Sequence, residues 1–217
     1  DMREYARRVR PAALVTANNS LNSADALYSQ CRGYAYSPYE MSKVEDFVVI
    51  EDMSSQPRIL PNGKTIEYGP TYRQLHALCH EKPVVAVTIA DGDYHTPPNL
   101  VRLAMAEAAA HDASYLLWPT WPEKERARMI AAVRPQAELL RQNEALLNGT
   151  RARRDAVLFL PFRRWIETKK CEASALAAAL TRSNVQYEVV CEDALLTGVE
   201  ARVLTKTVRL GGGKATP

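Results

Sequence analysis

The chain has 217 residues, 47% of them hydrophobic and 24% charged, with a net charge of +3. That length suits one large domain or two small ones. So small a net charge points to neither nucleic acid nor a membrane surface as partner. No run approaches the roughly 18 apolar residues of a membrane span. No signal peptide is visible. Because the first residue is Asp1, a processed or truncated start is expected, and the compartment stays open between cytoplasmic and secreted. Cys31, Cys79, Cys171 and Cys191 are widely spaced and form no CxxC pair, so they read as free thiols packed as small hydrophobes.

In chain order, Ala12, Leu14 and Val15 lead to polar Thr16, Asn18 and Asn19, which reads as a short strand with a polar end. Asn22 to Lys43 is rich in tyrosine and reads as a long loop with at most one helical turn. Phe47 to Ile50 is a second strand, closed by Glu51 and Asp52. Leu60-Pro-Asn-Gly-Lys64 carries the Asn-Gly turn signal and predicts a hairpin or ordered excursion. Thr71 to His80 is a helix. Pro83 opens a strand from Val84 to Ile89, followed by Ala90-Asp-Gly-Asp-Tyr-His95. A helix covers Asn99 to Ala110, with apolar residues at helical spacing. Ser114 to Trp118 is the next strand, closed by Pro119-Thr-Trp-Pro122. Glu123 to Leu147 is helical and predicted to split at Pro135, since proline costs a helix interior about 3 kcal/mol. Leu139, Leu140, Leu146 and Leu147 give its second piece an apolar stripe.

The basic, glycine-containing stretch Asn148 to Arg154 marks an expected domain boundary. Beyond it come a strand (Ala156 to Leu160), an alanine-rich helix (Ala173 to Arg182) and another strand (Val185 to Val190), one βαβ unit. Pro161-Phe-Arg-Arg-Trp165 stands where a dinucleotide fold would carry GxGxxG, so no dinucleotide cofactor is expected. The closing Leu210-Gly-Gly-Gly-Lys-Ala-Thr-Pro217 reads as a tail. Alternating apolar strands and helices predict an α/β fold with parallel strands. Polar residues gather after each strand, at the end where such folds carry their sites.

Four groups of residues could do chemistry. Glu51 and Asp52 end a strand, and a carboxylate there can serve as general acid if its surroundings raise its pKa. A solvated strand end is the plainer alternative. Asn18 and Asn19 suit sugar hydroxyls, or simply a turn. Asn18-Asn19-Ser20 and Asn148-Gly149-Thr150 also match the glycosylation sequon. Asp91, Asp93 and His95 combine two carboxylates and an imidazole, a set for a divalent metal, while Asp-Gly-Asp is equally ordinary turn chemistry. His76, Cys79 and His80 lie on one helix but lack the glutamate of HExxH, so they read as surface and core. Tyr115, Trp118 and Trp121 flank a strand end, where aromatics stack on sugars or fill a core. Arg151 to Arg154 with Arg163, Arg164, Lys169 and Lys170 reads as a solvated face, without the aromatic interleaving of a nucleic-acid reader.

The layout resembles the C-terminal part of a TIM-barrel glycoside hydrolase of the family 42 β-galactosidase-like type, followed by a glutamine-amidotransferase-like domain that serves trimerisation there. The stretches that carry the resemblance are Pro11 to Asn19, Asp46 to Asp52, Lys82 to Val87, Ala106 to Ala108, Ala113 to Trp118 and Asp155 to Leu160. The resemblance implies the second half of a (β/α)8 barrel over residues 1–148 and an incomplete flavodoxin-like or Rossmann-like βαβ domain over 149–217. It implies carboxylate acid/base catalysis on carbohydrate, with Glu51 and Asp52 as catalytic residues and the other carboxylate outside this chain. Asn18, Asn19, Asp91, Asp93 and His95 become substrate contacts, and Trp118 and Trp121 a stacking wall. No cofactor and no metal is implied, and a homo-oligomer is expected. Family 42 enzymes carry their nucleophile on the next strand, which here offers only Thr88 and Asp91, so Glu51 takes the role or the barrel is inactive. The second domain lacks the Gly-x-Cys-x-Gly elbow and a partner set for Cys191, so amidotransferase activity is not expected. The alternatives are an inactive carbohydrate-binding or oligomerisation scaffold, and a small α/β metalloenzyme built on Asp91, Asp93 and His95.

Overall fold

A computed structural model describes residues 2–17, 26–51, 59, 61–63, 67–80, 82–89, 96–148, 150 and 153–192. The chain divides into two compact units, residues 1–151 and 152–217. Both are mixed α/β with short parallel sheets.

In the first unit, β1 (Val48–Ile50), β2 (Val84–Ile89) and β3 (Ala113–Trp118) form a sheet in the order β1-β2-β3. Both pairs are parallel, with Val48 opposite Val84 and Ala86 opposite Tyr115. Parallel neighbours need a crossover, and two helices supply it: α4 (Gly69–Leu78) and α5 (Pro98–Ala110). A third helix, α6 (Glu123–Gln142), follows β3.

These helices gather on one face of the sheet. Val101 and Met105 of α5 and Val133 of α6 pack with Tyr115 and Leu117 of β3, around buried Trp121. Helix α4 lies beside the end of α5, where Tyr72 stacks on His111 at 5.5 Å between ring centroids. The sheet residues on that face, Val48, Ile50, Val84, Ala86 and Thr88, are all but fully buried. On the other face Val87 is buried, yet its register partner Leu116 is 54% exposed and Trp118 is 56% exposed. Cover on that face therefore stops between β2 and β3.

Local chemistry sets the helix ends. Ser37 accepts the Glu40 N–H at 3.3 Å and Pro38 begins α3 (Pro38–Met41). Prolines also stand in the first turns of α4 and α5. At the far ends the chain turns on left-handed residues that are not glycine: Ala35 after α2 (Ala26–Tyr34), His80 after α4 and Asp112 after α5. Gly63, at φ +78, fits the Asn-Gly turn expected there.

Several expectations are corrected. Ala12 to Val15 forms no strand. The Val15 and Ala17 N–H groups bond to the carboxylates of Asp46 and Glu45, at 2.9 and 3.1 Å, instead of to a neighbouring backbone. The tyrosine-rich stretch expected as a loop holds two helices, α2 and α3, and an unexpected α1 (Met2–Val9) precedes them. Helix α6 runs unbroken through Pro135 and ends at Asn143, whose side chain donates to the Leu139 carbonyl at 2.8 Å. Both Pro135 and Ala131, the residue whose carbonyl loses its partner, are exposed, so water takes that hydrogen bond. The short α7 (Glu144–Asn148) follows. Leu139 and Leu146 are 52% and 67% exposed, so the leucine stripe is mostly solvated.

The second unit pairs β4 (Ala156–Phe159) with β5 (Tyr187–Val190) in parallel, joined through α8 (Phe162–Thr168) and α9 (Ala173–Arg182). Ala173, Ala177 and Leu180 are the buried stripe of α9. Helix α8 stands where the sequence showed only a departure from GxGxxG. Its Arg163 N–H bonds to Glu192 Oε1 at 2.9 Å, so a carboxylate from after β5 sits at the helix start. The chain thus supplies its own anion at the position where a dinucleotide fold holds phosphate.

Candidate functional site

In an open parallel sheet, ligands gather beyond the carboxyl ends of the strands. At that end of the first unit stand Glu51 after β1, Thr88 one residue before the end of β2, Thr96 ahead of α5 and Trp118 closing β3. Glu51 is 8% exposed, Thr88 and Thr96 are buried, and Trp118 is open to solvent. Glu51 comes one residue after Ile50, which pairs with Ala86, so it is level with Val87 on the β2 strand. A carboxylate so withdrawn from water, at this end of the sheet, is where acid/base chemistry can be built.

Of the residues expected from sequence, Glu51 and Trp118 therefore lie at the same end of one sheet. Trp121 does not join them as a stacking wall. It is 3% exposed, closed in by Val101, Met105 and Val133. It precedes Pro122 at the start of α6, where it packs against Val101 and Met105 of α5 and Val133 of α6. Asp52, Asn18, Asn19, Asp91, Asp93 and His95 lie outside the described residues. Among the described residues no group of three or more His, Cys, Asp or Glu could hold a metal. No described helix is long and apolar enough to cross a membrane.

Two further carboxylates, Glu45 and Asp46, stand at the opposite end of β1. Asp46 receives Arg3 and Arg7 on Oδ1, both at 2.6 Å, and the Val15 N–H on Oδ2. The Val15 N–H, and then the two guanidiniums, hold its carboxyl below the usual range. Neighbouring Glu45 is 2% exposed, and burial pushes its carboxyl up, partly offset by the Ala17 N–H and the Tyr36 side chain. Adjacent Glu-Asp ahead of a strand carries no motif, so only the fold reveals the pair.

A cleft of about 600 Å³ opens at the amino ends of β2 and β3. Val84, Met105 and Tyr115 line it beside Lys82, Asp112 and Arg141. It is at the opposite end of the strands from Glu51. In the second unit Cys191 is buried, and burial holds the Cys171 thiol above its ordinary pKa, so it stays protonated at neutral pH.

No family model, no curated protein and no solved structure matches the chain.

Proposed function

We propose that the chain is part of a glycoside-hydrolase-like enzyme in which Glu51 is one of two catalytic carboxylates, the other lying outside residues 1–217. The observation that carries this reading is a glutamate 8% exposed at the carboxyl end of a parallel strand. The surroundings favour it. Strands in sequential order with α5 and α6 on one face would suit a barrel wall. The opposite face, with Leu116 and Trp118 uncovered, would then look into the barrel. Trp118 offers an exposed indole at the same end as Glu51, as a sugar face would need. Glu51 would donate a proton to the glycosidic oxygen, or attack the anomeric carbon, in the two-carboxylate scheme. The second unit would serve assembly.

The test is turnover of alkyl glycosides, whose poor leaving groups need acid assistance, by the wild type and by Glu51→Gln in the longest chain that contains these residues. Turnover that vanishes in the variant supports the reading. Turnover that survives removes Glu51 from the chemistry. The exposed Leu116 and Trp118 favour a second reading, a scaffold whose sheet face binds sugar or another subunit without catalysis. Sugar binding without turnover in either protein would select it.

A further inference from the structure

We infer that residues 2–17 form a charge-held strap over the outer edge of β1, one that opens apart from the core. Among the described residues the strand order makes β1 a sheet edge, and sheet edges invite pairing with another chain. Here that edge is covered at its start. The Asp46 N–H donates to the Val15 carbonyl at 2.8 Å, and Thr16 Oγ1 donates to the Phe47 carbonyl at 2.7 Å. Asp46 draws in Arg3 and Arg7, one helical turn apart on α1, while Glu45 takes the Ala17 N–H. One short stretch, Glu45 to Phe47, thereby holds both the helix and the segment that follows it.

The contacts at this edge are polar. No residue from Met2 to Ala17 is buried. The apolar side chains that could anchor this segment face water instead: Met2 is 84% exposed, Tyr5 64%, Val9 71% and Leu14 71%. Core elements differ, for α4 and α5 bury apolar faces. Segments with few buried apolar contacts open at the low end of a protein's range of local stabilities. An attachment made by ions is further weakened by salt. Opening uncovers the Phe47 carbonyl, so the strap guards the start of β1 against strand addition.

Hydrogen exchange on the whole chain, read by mass spectrometry, tests this. Peptides covering residues 2–17 are compared with peptides covering β2. The comparison is made at about 0.01 M and about 1 M sodium chloride, between which the screening length falls from about 30 Å to about 3 Å. We expect the strap to exchange at least tenfold faster than β2 at low salt, as a locally opening segment does. High salt should speed it further by about threefold to tenfold, the range that two partly exposed ion pairs allow, with β2 unchanged. Asp46→Asn should exchange fast at both salts. Should that variant fail to fold, the double variant Arg3→Gln, Arg7→Gln removes the same pairs and leaves the Asp46 acceptor for Val15. Exchange of residues 2–17 in step with β2 would overturn the strap. Fast exchange that ignores salt would overturn its being held by charge.

Discussion

The imidazole of His111 occupies the space a β-carbon on Gly69 would need, with Nε2 3.0 Å and Cε1 3.2 Å from that position. The ring has little room to move. Tyr72 stacks on it, and its own backbone carbonyl accepts the His76 Nε2–H at 2.8 Å. Gly69 begins α4, so this contact fixes how that helix lies against the end of α5. Gly69→Ala should lower stability by about 1 kcal/mol through overpacking. In a His111→Ala background the same change should become neutral or stabilising, because alanine is the better helix former by about 1 kcal/mol. Urea midpoints of the four proteins decide it. Equal costs in both backgrounds would show that the close approach does not matter.

The same histidine makes stability depend on pH. Burial, then the charges of Arg73 and His76, push its pKa from 6.5 down to about 4. Between those values the unfolded chain binds the proton and the folded chain does not, so stability rises with pH. The full contribution is present above pH 6.5 and is lost as pH falls through about 4. A displacement of this size corresponds to roughly 3 kcal/mol. His111→Gln should flatten the curve across that window. Glu45 acts in the opposite sense, since its raised pKa costs stability as pH rises above 4.5. The difference between wild type and His111→Gln isolates the histidine. A difference that does not change with pH would reject the buried neutral imidazole.

Ala35 leaves α2 at φ +54 and is exposed. A β-carbon in the left-handed region costs about 1 to 2 kcal/mol, part of which glycine gives back through its freer unfolded chain. Ala35→Gly should therefore raise stability by about 0.5 kcal/mol. Thermal or urea unfolding checks the sign, and a loss would mean that the chain does not turn there.

Pro135 offers a change of the other kind. Alanine in its place restores the hydrogen bond to the exposed Ala131 carbonyl within an unbroken α6. Pro135→Ala should stabilise by about 1 to 3 kcal/mol. No gain would indicate a helix already broken at that residue.

These positions also mark what the sequence could and could not convey. Val84 to Ile89 was legible as a strand because a continuous apolar run, opened by Pro83, suits a parallel strand. Ala173 to Arg182 was legible because its small residues repeat at helical spacing. Pro135 misled because local propensity ignores where the freed carbonyl points, and here it points to water. The strand expected from Ala12 to Val15 failed because the Ala13 N–H turns back to the Arg10 carbonyl and the Val15 N–H finds the Asp46 carboxylate about 30 residues away, a competition no local pattern records. Trp118 and Trp121 look alike in sequence, three residues apart. Only the pleat of β3 and the start of α6 turn one outward and the other into the core. Glu51 was legible by position, as the first polar residue after an apolar run. Its near-complete burial was not, since burial belongs to what packs over the strand end.

If Glu51 works as the general acid of a glycosidase, the loss in Glu51→Gln should depend on the leaving group. Proton donation matters most when the departing alkoxide is a poor leaving group, and acid assistance is worth about 100-fold to 10,000-fold. An alkyl glycoside should therefore lose most of that factor. A nitrophenyl glycoside, whose phenolate leaves unaided, should lose far less in the glycosylation step. If Glu51 is instead the nucleophile, both substrates should fail alike, because no glycosyl-enzyme forms with either. Trp118→Ala, 56% exposed in the wild type, should raise KM with little change in kcat, as removal of a stacking surface predicts. The same loss for every leaving group, together with an unchanged KM in Trp118→Ala, would leave Glu51 as nucleophile and place the sugar away from the indole.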